Sequence, residues 1–96
     1  MTAVEAGALH AVRLKRKSVS RVKKKIAAAV YEYQADCDGE WGEILFDFEN
    51  QTAEIIRLAD WDTTKYCIFA KQIIQYIFDC GSNNLPKRFL LPLWKM

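Results

Sequence analysis

Asp38-Gly39 lies between two runs of alternating polarity, and it constrains the fold more than any other part of the chain. A two-residue hairpin loop needs positive φ, which glycine accepts without steric cost, so Asp-Gly between strand-like runs predicts a tight β-hairpin. Taken literally, the turn sets Cys37 opposite Glu40, Tyr33 opposite Ile44, Tyr31 opposite Phe46 and Ala29 opposite Phe48. These pairs share one apolar, aromatic face, as the two-residue strand period requires. The other face pairs Val30 with Asp47, Glu32 with Leu45 and Gln34 with Glu43, and reads as mostly acidic and solvated.

A second turn near Asn50-Gln51 leads into Thr52–Ala59. A two-residue loop there would set Asp47 against Glu54, a like-charge pair, so a three-residue loop pairing Phe46 with Ile56 and Ile44 with Leu58 is preferred. A helix follows, capped by Asp62 or Thr63 and closed by Gly81. Tyr66, Phe69, Ala70, Ile73, Ile74, Ile77 and Phe78 form a wide apolar face suited to covering a sheet. In the tail, Phe89, Leu90, Leu91, Leu93 and Trp94 need a surface, while Pro86 and Pro92 disfavour a helix or a central strand. An edge strand, a strap across the helix and a dimer contact all satisfy that need.

The net charge of +2 conceals a division along the chain. Residues 1–25 hold eight cations (Arg13, Lys15, Arg16, Lys17, Arg21, Lys23, Lys24, Lys25) against Glu5, a balance of +7; residues 26–96 balance at −5. This reads as a basic N-terminal arm, partly helical or mobile, on a single small acidic domain spanning 26–96. Val12, Val19, Val22 and Ile26 recur at helix-compatible spacing within the arm. The arm's charge follows its mildly apolar stretch, the reverse of a secretory signal, and no apolar run approaches the roughly 20 residues of a membrane span. Three cysteines, an odd number, do not make a disulfide scaffold, so the expected compartment is the cytoplasm.

No catalytic, metal or cofactor residues are assigned. Asp36, Asp38 and Glu40 do not fit a calcium loop: with Gly39 at the sixth position, Gln34 and Leu45 would occupy places that require carboxylates. Cys67 and Cys80 lie about 20 Å apart along one helix, and Cys37 sits between acids that suppress its thiolate. His10, the only histidine, has no evident nucleophile to serve. Glu43 and Asp47, on a solvated strand face, lack the desolvation that tunes a catalytic pair. Gly39 and Gly42 precede no phosphate-loop helix. Tyr31, Tyr33, Phe46 and Phe48 suit a base-stacking platform by type, but they are also the face the helix must cover.

With a helix in the arm, the element order α-β-β-β-α resembles that of double-stranded-RNA-binding domains, in order alone. Such domains grip RNA with lysines at the start of the second helix and with the first hairpin loop. Here Asp60-Trp61-Asp62 and Asp36-Cys37-Asp38-Gly39-Glu40 occupy those places and would repel phosphate.

The sequence therefore predicts an α+β fold: a three-stranded antiparallel meander with one long C-terminal helix on one face, and a tail available as an edge strand. The expected function is a small, non-enzymatic interaction module, with a homodimer or another protein as partner and Phe89, Leu91 and Trp94 as its interface. The alternative is non-specific nucleic-acid binding through residues 13–25, where Arg13, Lys15, Arg16, Lys17, Arg21, Lys23, Lys24 and Lys25 contact phosphate or an acidic partner. No cofactor and no membrane are expected.

Overall fold

The computed structural model describes residues 10–34, 39–60, 62 and 68–93. Strands β1 (His10–Val22), β2 (Lys25–Gln34), β3 (Gly42–Asp47) and β4 (Thr52–Arg57) form an antiparallel meander, followed by helix α1 (Ile68–Cys80) and strand β5 (Arg88–Leu93). The sheet order is β4-β3-β2-β1-β5, so the meander has four strands rather than three, and β5 adds a fifth at the β1 edge.

The extra strand is the basic arm, which from His10 onward is strand and not helix. Val12 and Leu14 are buried between exposed Arg13 and Lys15, a two-residue alternation. A bulge at Lys17 then shifts the parity, and Val19 packs against the core. That one-residue slip puts Val12 and Val19 on one face seven residues apart, a helix-like interval that hides the strand period in the sequence. Lys23 and Lys24 join β1 to β2 with φ of 53° and 69°, between the paired residues Val22 and Lys25. Two positive φ values in a two-residue loop match the twist of the flanking strands.

The Asp38-Gly39 turn is also corrected. Tyr31 pairs with Ile44 and Tyr33 with Gly42, two residues from the expected register, and residues 35–41 separate the strands. A two-residue shift preserves both faces, so the apolar side is the expected one. The cause is Gly42: a Cβ there would lie 2.5 Å from Tyr33 Cε1 and 2.5 Å from Ala59 N. Only glycine lets the Tyr33 ring and the chain after β4 cross it. On the outer face Val30 now pairs with Leu45, and Glu32 stands directly opposite Glu43.

Between β3 and β4 the loop has four residues, 48–51, not three. Asp47 folds it by accepting hydrogen bonds from Glu49 N, Asn50 N and Asn50 Nδ2 at 3.1, 3.1 and 2.8 Å. Phe46 therefore pairs with Ala53 and Ile44 with Ile55, an odd shift that turns Ile56 outward, 51% exposed.

Helix α1 is short, 13 residues, and ends at Gly81, whose φ is 80°. Its buried Phe69, Ala70, Ile73 and Ile77 cover Tyr31, Tyr33, Ile44 and Phe46. Phe46 meets Tyr31 and Phe78 edge-on at 5.7 and 5.6 Å, and stacks on Phe48 at 6.1 Å. The aromatic sheet face is thus core. The tail forms β5, with Pro92 on the edge strand where its missing N–H is tolerated. No helix among the described residues is long and apolar enough to cross a membrane.

Candidate functional site

The basic residues of β1 and of the turn into β2 divide into two groups. Arg13, Lys15 and Lys17 lie along the outer face of the sheet. Arg13 donates to Gln34 Oε1 at 3.3 Å; Lys15 is 3.6 Å from Glu32 and 5.1 Å above the Trp41 ring. Lys17, at the bulge, reaches past β2 to Glu43 at 2.7 Å, and Arg57 approaches the same carboxylate at 3.4 Å from β4. These cations offset the repulsion of the directly opposed Glu32 and Glu43. The Lys17 ammonium holds the Glu43 carboxyl below its ordinary value, and Glu43 raises Lys17 in turn. This half of the arm is docked on acidic residues of its own sheet.

The second group gathers at the end of the β1–β2 hairpin. Arg21, Lys23, Lys24 and Lys25 are exposed, and no salt bridge among the described residues ties them to a carboxylate. Arg16, two residues on from buried Leu14 and before the bulge, falls on the helix side by plain alternation, opposite Tyr31. Arg16 N donates to Lys87 O at 2.8 Å, bringing Lys87 to the same place from the start of the tail. Arg16, Arg21, Lys24 and Lys87 thus line one cleft of about 280 Å³ with Ser82 and Asn83, over Ile26 and Leu85. Among the described residues no carboxylate lines it.

A second cleft of about 400 Å³ adjoins it and shares Ile26 and Ser82. Its walls are Val22, Ile26, Ala27 and Phe48, with Lys23, Lys25 and Glu49 also lining it. The hairpin end therefore offers a cationic concavity beside a partly apolar one. Four converging cations suit an anion by charge and by donor geometry.

The acids that drew attention in the sequence have structural work instead. Asp60 Oδ2 accepts from Glu40 N at 3.0 Å, and Asp62 Oδ2 accepts from Ala70 N at 3.0 Å, in the first turn of α1. Among the described residues no three His, Cys, Asp or Glu side chains come together as a metal site. Phe89 and Leu91 stand in β5, paired with Leu14 and Val12, which gives the tail a partner inside its own chain. Trp94, Cys37, Cys67, Asp36, Asp38 and Thr63 lie outside the described residues.

Sequence reasoning missed Lys87, Ser82 and Asn83. No local pattern marks them, because only the β1–β5 pairing carries residue 87 to Arg16. Comparison with family models, curated proteins and solved structures returned no match to this chain.

Proposed function

We propose that the protein is a non-enzymatic binding module that holds a nucleic-acid backbone at the end of its β1–β2 hairpin. The observation that carries this reading is the cleft in which Arg16, Arg21, Lys24 and Lys87 converge with no carboxylate among the described residues that line it. Ordinary solvated lysines spread over a surface or pair with acids, as Lys15 and Lys17 do. Contacts of this kind neutralise phosphates and release counterions, so binding falls steeply with salt and is indifferent to sequence.

The turn supports the same reading. Lys23 and Lys24 occupy positive-φ positions that Asn-Gly would fill with less strain. Local rules are commonly broken where a functional charge is needed.

The test is a titration of labelled nucleic acid with the full chain at low and rising salt, beside Arg21→Glu/Lys24→Glu. Both side chains are exposed, so the variant keeps the fold. The expected result is salt-sensitive binding that the double variant weakens by roughly tenfold or more, as loss of phosphate contacts implies. Absence of binding at low salt overturns the reading.

A further inference from the structure

We propose that the two adjoining clefts together hold one nucleotide unit of a single strand, its phosphate in the cationic cleft and its base in the apolar neighbour. The inference rests on the nucleic-acid reading above and narrows it to unpaired strands.

The argument is the difference in chemistry between two concavities that share a wall. Ile26 and Ser82 line both. On one side Arg16, Arg21, Lys24 and Lys87 present only positive charge and polar donors. On the other, Val22, Ile26, Ala27 and Phe48 supply apolar surface, flanked by Lys23, Lys25 and one carboxylate, Glu49. A nucleotide has a matching division, an anionic group joined to a flat ring with weakly polar faces and hydrogen-bonding edges. The second cleft, about 400 Å³, is within the roughly 300–1,000 Å³ usual for small-molecule sites.

Other anions use only part of this arrangement. A free phosphate or an acidic peptide would engage the cations and leave the apolar cleft empty. A duplex presents its phosphates but keeps its bases stacked, so it too reaches only the first cleft. An unpaired strand fills both, because its bases are free to turn onto protein surface. Phe48, mostly buried against Phe46 and Phe78, lines the second cleft without offering an open ring face. Base burial there is apolar contact with side chains and not stacking in a sandwich.

The deciding measurement is fluorescence anisotropy with the full chain at low salt and four labelled probes. These are a single strand of about twelve nucleotides, an abasic strand of the same length, a matching duplex, and polyglutamate. The abasic strand carries the same charge as the single strand and differs only in its bases. The expected result is severalfold tighter binding of the single strand than of the abasic strand, as partial burial of a base face against apolar side chains implies, and tighter binding than of the duplex. Val22→Ser, at a side chain 50% exposed, should narrow the gap between single and abasic strands and leave duplex binding unchanged. Equal binding of the single and abasic strands, or of the single strand and the duplex, overturns this inference and leaves the broader reading standing. No binding of any nucleic acid, or polyglutamate binding as tightly as the strands, overturns both.

Discussion

The Tyr33 hydroxyl donates to Asp62 Oδ2 at 2.7 Å while accepting the Ala59 N–H at 3.1 Å. The same carboxylate oxygen accepts Ala70 N, so one buried phenol joins β2, the chain leaving β4 and the first turn of α1. Tyr33→Phe keeps the ring and removes both bonds, stranding a buried N–H. The expected loss is about 1–3 kcal/mol, read as a lower urea midpoint with an unchanged slope.

Gly42→Ala places a methyl group 2.5 Å from Ala59 N and 2.6 Å from Arg57 O, both backbone atoms that cannot rotate away. The outcome should be a destabilisation of at least about 1–3 kcal/mol, the usual scale of overpacking. Gly81→Ala is the useful contrast. Nothing lies within 4 Å of its Cβ, so any cost there comes from φ alone. Thermal melts of the two variants separate crowding from backbone strain.

Lys17 and Glu43 make an ion pair with a defined pH window. Glu43, lowered by Lys17, contributes stability above its unfolded value and loses it as pH falls through the folded one. Lys17, raised by Glu43, contributes below its unfolded value and loses it as pH rises through the folded one. Lys17→Met should move the Glu43 titration up towards the ordinary 4.5, followed by carboxyl carbon NMR. High salt should move it the same way in the parent chain.

Tyr31 is fully buried, and its hydroxyl donates to Pro86 O. Burial pushes its pKa from 10.0 up to about 12, with the Arg16 guanidinium opposing the rise. A raised value stabilises the fold below the unfolded pKa, and that contribution is lost as pH rises through the folded one. Unfolding should therefore become easier between about pH 10 and 12. Tyr31→Phe should flatten this alkaline limb in denaturant titrations across that range.

Lys23→Asn/Lys24→Gly should raise the melting temperature, because each non-glycine residue in the left-handed region costs roughly 1–2 kcal/mol. The same variant removes two cations from the hairpin end, so its salt-dependent nucleic-acid affinity should drop. A more stable, weaker-binding protein is the expected pair of results. Unchanged affinity would separate the turn from the binding surface.

Much of this protein is written in period and punctuation. Alternation along 29–33 and 44–48 assigned the apolar sheet face, the helical spacing of Phe69, Ala70, Ile73 and Ile77 assigned its cover, and Gly81 marked where the helix stops. These signals are local, and burial of one face enforces them whatever the exact pairing. Register was not legible, because it depends on what must pass over what: Gly42 sits opposite Tyr33 so that the ring and Ala59 N can cross it. The arm reads as helix-like because its pairing slips twice, at Lys17 and again between Ser20 and Arg21, and the strand period is broken. The charge division was visible, but its meaning was not. Pairing decided that Lys15 and Lys17 meet Glu32 and Glu43, while Arg16 is turned to the other side and joined by Lys87 from the far end of the chain. Sequence determined how many cations there are; the sheet decided which of them have partners.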